Sequence, residues 1–171
     1  VKMGKNRILS MTTIGMMFLL SLTLVSAEGS ETIESGDNVA ISFWIATALM
    51  LASTVFFILE RNNVAPKWKT SMTVAALVTG VAWYHYTYMR NHWLITQESP
   101  LVLRYIDWLI TVPLQVSEFY LILAAVGVAT AALFWRLFGA SLIMLISGYI
   151  GESEVIGGGP WLWFAIGMVA W

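Results

Sequence analysis

Long apolar runs recur along this chain, and they limit its fold more than any other feature. A helix needs ~20 apolar residues to cross about 30 Å of hydrocarbon, and several runs approach that length. Within lipid the backbone must satisfy its own hydrogen bonds, which makes helices the form such runs take. The composition agrees: 58% of residues are hydrophobic and 11% charged, about half the charged share of a soluble domain, and mean hydropathy is +0.76. The expectation is an all-α integral membrane protein. Without cysteine there are no disulfides and no thiolate metal sites, and no metal site of another kind is expected. A net charge of -1 and the lack of a basic face argue against nucleic acid or another polyanion as partner.

The first residues have the form of an export signal. Lys2, Lys5 and Arg7 precede an apolar stretch from Ile8 to Val25, and "VSA" offers small residues before Glu28. The expectation is a signal peptide over 1–27, cleaved after Ala27, with an uncleaved first helix as the alternative. Cleavage leaves six basic residues against ten acidic ones, a formal charge of -4, and the segment from Glu28 to Asn38 becomes an acidic external tail. Five spanning segments are then expected, at about Val39–Leu59, Thr70–Tyr88, Leu101–Val126, Ala131–Ile150 and from Trp161 onward. "ERNNVAPKWK" and "MRNHW" fall between the early ones. "GESEVIGGGP", with four glycines and Pro160, reads as irregular throughout. Eleven residues from Trp161 to Trp171 are too few to span, so the chain is expected to be a fragment stopping inside its fifth helix. Arg61, Lys67 and Lys69 place the first interhelical loop in the cytoplasm, with Arg136 on the same side. Arg90 and His92, in the second loop, run against this bias. The mature N-terminus is expected outside.

One segment breaks the apolar pattern. In "RYIDWLITVPLQVSE", Arg104, Asp107, Thr111, Gln115 and Glu118 follow one another at steps of 3, 4, 4 and 3, which puts them on one face of a helix. Asp107 and Glu118 are roughly 16 Å apart along that stripe, so they do not share a proton as a dyad. They read as two stations, one outer and one inner. Arg104 and Asp107, at i,i+3, are positioned to pair with each other, and that pair alone would account for two of the three charges. It leaves Glu118 unexplained. A bare carboxylate there is costly, the neutral acid is the favoured form, and a proton donor needs that property. Asp107, near Arg104, is the easier of the two to ionise and suits a counterion and acceptor. Pro113 is expected to kink the helix and free a carbonyl. His85, in "WYHYTYMR", is placed to bond Asp107 across the helix gap or a backbone carbonyl instead. Trp108 adjoins Asp107 and could wall a flat apolar ligand, whereas most other aromatics read as interfacial or lipid-facing.

"RYIDWLITVPL", "SEFYLIL" and "GYIGE" together resemble the microbial (type 1) rhodopsins, and among them the marine bacterial proteorhodopsins. The resemblance covers the chain to Trp171. It implies a seven-helix bundle, about four and a half helices of which are in this chain, with residues 28–171 forming a partial retinal-binding domain. It also implies all-trans retinal joined as a protonated Schiff base to a lysine in the last helix, and light-driven outward proton transport. By the same resemblance Asp107 is the proton acceptor and counterion, Glu118 the proton donor, and Arg104 the arginine on the release side. His85 is the acceptor's partner, and Thr111 completes the proton-pump pattern. Trp108, Thr111, Gln115, Met144, Gly148 and Trp171 fall at retinal-pocket positions. Gln115 holds the spectral-tuning position, where glutamine resembles blue-absorbing members and leucine green-absorbing ones. A homo-pentamer or hexamer in the cell inner membrane is implied too, as is a transporter rather than an enzyme.

The chain departs from that pattern in having no lysine after Lys69. Neither Lys67 nor Lys69, in the cytoplasmic loop, could reach a chromophore beside Asp107, so the attachment lysine is expected in a seventh helix outside this sequence. The alternative functions are a retinal photosensor signalling to a partner, and a small helical scaffold or transporter piece without photochemistry.

Overall fold

A computed structural model describes residues 33–170. The proposed signal peptide, 1–27, and Trp171 lie outside the described residues. Five helices and one short 3₁₀ turn follow one another: α1 (Asn38–Glu60), the turn Pro66–Trp68, α2 (Lys69–Thr96), α3 (Leu101–Ala125), α4 (Ala131–Ser153) and α5 (Pro160–Ala170). All lie within one compact unit, Ser35–Trp171. Each helix packs on its neighbours in sequence, α1 on α2, α2 on α3, α3 on α4 and α4 on α5. The protein is an all-α membrane protein. Helices α1, α3 and α4, of 23, 25 and 23 residues, are long and apolar enough to cross a bilayer. Their outward faces carry exposed Trp44, Leu49, Phe56, Trp135 and Ile143, side chains that suit lipid rather than water.

Local chemistry sets where the helices begin and end. Asp37 caps α1, its carboxylate accepting the Ala40 N–H at 2.8 Å. The same carboxylate accepts the Trp93 indole N–H at 3.0 Å, which ties the start of α1 to the last turn of α2. At the other end of this hairpin, polar residues after Glu60 end α1, and Pro66 opens the turn leading into α2. Between α3 and α4, Gly127 takes φ +82°, a left-handed conformation that glycine adopts without penalty. The Thr130 hydroxyl then caps α4 by accepting the Leu133 N–H. Deep in the hairpin, the Thr54 and Thr79 hydroxyls bond across α1 and α2 at 2.9 Å, the kind of contact that joins helices where hydrophobic burial cannot. Where α4 meets α5, a Cβ on Gly151 would lie 2.8 Å from Trp163 Cβ, so only glycine allows the approach.

Two expectations change. Helix α2 does not stop near Tyr88 but continues through "MRNHW" to Thr96, ending at Gln97 in the left-handed region (φ 56°). Nothing before Gln97 breaks a helix, and buried Met89 and the Trp93–Asp37 bond hold the extra turns. Arg90 and His92 are therefore helical, not in a loop. Similarly, "GESEVIGGGP" is not irregular throughout: Gly151, Glu152 and Ser153 complete α4, and the turn begins at Glu154 (φ 54°). Packing against Trp163 and polar bonds to α3 keep that last turn helical. Helix α3 carries Pro113 in its interior and remains helical on both sides of it. The hydroxyls nearby bond backward to Asp107 O, from Thr111, and to Pro113 O, from Ser117.

Candidate functional site

The polar stripe of α3 faces its neighbouring helices. Asp107 is 2% exposed, and Thr111 and Tyr105 are buried beside it. Asp107 Oδ1 lies 2.8 Å from His85 Nδ1 on α2. A charge this deeply buried needs a partner, and the imidazole provides one. One helical turn further, the Thr111 hydroxyl donates to Asp107 O at 2.9 Å.

Asp107 also opens on a cavity of about 570 Å³ shared by α1, α2, α3 and α4, within the ~300–1,000 Å³ range of small-molecule sites. Trp108, Thr111 and Gln115 line it from α3, and Met144 and Gly148 from α4. A second space of about 390 Å³, sharing Gln115 and Met144, continues from it between α3, α4 and α5. The lining of both is mostly apolar, with Asp107 the one carboxylate in it. Gly148 is needed for its shape, since a Cβ there would sit 2.9 Å from the Tyr105 hydroxyl.

Of the residues singled out from sequence, Asp107, Trp108, Thr111, Gln115, Met144 and Gly148 meet in this one cavity. His85 touches it only through Asp107, and its ring borders a separate groove with Gly80 and Tyr84. Glu118 is half-buried further along α3, about 16 Å from Asp107 by helical rise. Buried Ser71, near the start of α2, lies beside its carboxyl.

Arg104 corrects one expectation. It does not pair with Asp107, as the i,i+3 spacing allowed, but forms an ion pair with Glu152 at the end of α4. Tyr105 donates its hydroxyl to the other oxygen of Glu152 at 3.0 Å. The guanidinium lies 5.6 Å from the Trp108 ring centroid, a cation–π distance. Arg104 therefore does not directly ease ionisation of Asp107; His85 is the group at that carboxylate. Sequence inspection missed Glu152 and Tyr105. Their signal was present, because Gly148 and Glu152 stand four residues apart in "GYIGE", but assigning Glu152 to a loop hid that they share a face.

Chemically, a buried carboxylate hydrogen-bonded to an imidazole can balance a cationic ligand or accept a proton from it. The mostly apolar lining with one buried carboxylate suits an apolar ligand that carries a positive charge, and the residues present fit retinal in those respects. No lysine lines the cavity. Lys69 starts α2, sixteen residues before His85, or roughly 24 Å along the helix.

A family model described as "Bacteriorhodopsin-like protein" matches residues 37–171. The chain is 52% identical over 145 residues to the green-light absorbing proteorhodopsin of Gamma-proteobacterium EBAC31A08, covering 85% of this chain and 57% of the relative. It is also 52% identical over 152 residues to the blue-light absorbing proteorhodopsin of Gamma-proteobacterium Hot 75m4, covering 89% and 59%. Among solved structures, the crystal structure of blue light-absorbing proteorhodopsin from Med12 superposes with a TM-score of 0.70 at 58% identity, covering 79% of this chain and 64% of that one. The chain thus spans less than two thirds of the length of these relatives.

Proposed function

This chain belongs to the bacteriorhodopsin-like protein family, and we propose that its full-length protein is a light-driven outward proton pump that binds all-trans retinal. The observation that carries this proposal is the placement of Asp107, buried, bonded to His85 and facing a mostly apolar cavity. When bound, retinal would supply light absorption and a protonated linkage nitrogen whose hold on its proton weakens on isomerisation. Trp108, Met144 and Gly148 would hold it from the cavity wall, with Thr111 and Gln115 beside them. The lysine that attaches it is proposed to lie in a later helix, beyond Trp171.

The chain's own residues then divide the proton's route. Asp107 first balances the chromophore's positive charge and then accepts the proton, with His85 Nδ1 sharing the load at Oδ1. Thr111 fixes the backbone beside it. Glu118, about 16 Å away, stores the proton that restores the resting state. Arg104 stands on the release side. A carboxylate at Glu118, set next to Ser71, favours a pump over a photosensor, because a sensor has no need of fast reprotonation. Basic Arg61, Lys67, Lys69 and Arg136 support a cytoplasmic position for the Glu118 end of the bundle. The proposal includes an inner-membrane location, an export signal over 1–27, an outward mature N-terminus and assembly as a homo-pentamer or hexamer.

Blue absorption is proposed from Gln115 alone, since identity to the green and blue relatives is equal. Its amide on the cavity wall changes how ground and excited charge distributions are stabilised.

The test is to express the full-length protein with retinal and illuminate a cell suspension. Acidification that a protonophore abolishes is expected, and a coloured, folded sample that leaves the medium unchanged rejects pumping. In the same preparation Glu118→Gln should slow recovery of the resting state at high pH. Unchanged recovery kinetics reject the donor role.

A further inference from the structure

Arg104 has two carboxylates within its potential reach and is bonded to only one of them. Asp107 is three residues away on the same helical face, while Glu152 arrives from the end of α4, 48 residues later in sequence. The ion pair forms with Glu152. We infer that Glu152 is a positioning residue: it holds Arg104 away from Asp107, and thereby leaves the Asp107 carboxylate to His85.

Several independent features of the geometry converge on this role. Glu152 uses both oxygens on α3, one for the Arg104 guanidinium and one for the Tyr105 hydroxyl. Two bonds from adjacent residues fix the carboxylate's orientation as well as its distance. Gly148, one turn before Glu152, leaves the space that the Tyr105 hydroxyl occupies. Tyr105 is in turn wedged edge-on between Trp108 and Tyr149, at 5.1 and 5.2 Å between ring centroids. The Trp108 face also receives the guanidinium. Meanwhile Arg104 Nε is buried without a partner among the described residues. The placement of the guanidinium therefore depends on its Glu152 bond, and a competing anion would meet a spare donor.

The consequence lies at the acceptor. A guanidinium on Asp107 would compete with His85 for the carboxylate and would neutralise part of the charge facing the cavity. With Glu152 in place, Asp107 keeps its imidazole partner and no guanidinium bonds its carboxylate. This inference rests on the proposed role of Asp107, but its test is made in the dark and does not require pumping.

The experiment uses the full-length protein with retinal, labelled with ¹⁵N at histidine. Glu152→Gln keeps a hydrogen-bond acceptor for Tyr105 but removes the charge that holds Arg104. The expected result is a shift of the His85 ring-nitrogen resonances and a red-shift of the visible band, as Arg104 turns to Asp107. Glu152→Asp should restore both toward the unmodified protein. In an Arg104→Gln background, adding Glu152→Gln should change neither signal further, because the coupling runs through Arg104. If Glu152→Gln yields no coloured protein, Tyr105→Phe, which removes one of the two bonds on Glu152, should give a smaller shift in the same direction. Unaltered His85 resonances in the charge-removing variant overturn the inference, as does an equal change when Arg104 is absent. Loss of light-driven acidification in the unmodified protein would reject the pump while leaving this dark-state comparison intact.

Discussion

At the scale of single residues, the choice of partner decides the chemistry. Asp107 is bonded to His85 from α2, and Arg104 to Glu152 from α4. The stripe that carries Asp107, Thr111, Gln115 and Glu118 was legible in the sequence, because steps of three and four residues fix a helical face whatever the rest of the chain does. The partners were not. His85 had a backbone carbonyl as an equal alternative, and Arg104 had a local carboxylate that helical spacing made plausible. Which one wins depends on how α4 ends and on the room left by Gly148, and neither is encoded near Arg104. Gln115 offers the simplest residue-level prediction. Replacing its amide by the apolar, similarly sized side chain in Gln115→Leu should red-shift the absorption band of the retinal-bound protein. An unmoved band in the visible spectrum would remove the tuning role.

At the scale of elements, the helices were readable where hydropathy defines them and obscure where packing does. The limits of α1 and α3 fall within a residue or so of the apolar runs. Helices α2 and α4 outrun theirs, because a helix persists past its lipid-exposed part when side chains such as Met89, Trp93 and Glu152 find partners there. The seam between α4 and α5 depends on Gly151, whose added methyl would meet Trp163 Cβ at 2.8 Å. Gly151→Ala should therefore destabilise the protein by about 1–3 kcal/mol, the usual cost of overpacking, seen as a lower thermal midpoint in detergent. A second element-level prediction concerns the clasp between α1 and α2. The Ala40 N–H, aided by the Trp93 indole, holds the Asp37 carboxyl below the ordinary carboxylate range, against the opposing effect of burial. A carboxyl lowered on folding stabilises the structure above its unfolded value and loses that contribution as pH falls through its folded value. The first turn of α1 should accordingly loosen only in acid below the usual carboxylate range. Hydrogen exchange at the Ala40 amide reports this, and Asp37→Asn, which keeps a cap but cannot titrate, should abolish the pH dependence.

At the scale of the whole molecule, the described helices enclose the cavity beside Asp107 and carry both carboxylate stations of the proposed proton route. Asp107 and Glu118 sit on one helix, so their separation is fixed by helical rise and does not depend on how later helices pack. That rigidity is why a chain covering 57% of a relative's length can still display the arrangement. The central claim is that Asp107 takes the proton released after light absorption. Time-resolved infrared difference spectroscopy on the full-length, retinal-bound protein tests it most directly. A protonated carboxylic-acid band should appear after the flash, decay as the medium acidifies, and be missing in Asp107→Asn. The same band persisting in Asp107→Asn, or no such band in the unmodified protein while protons are released, would contradict it.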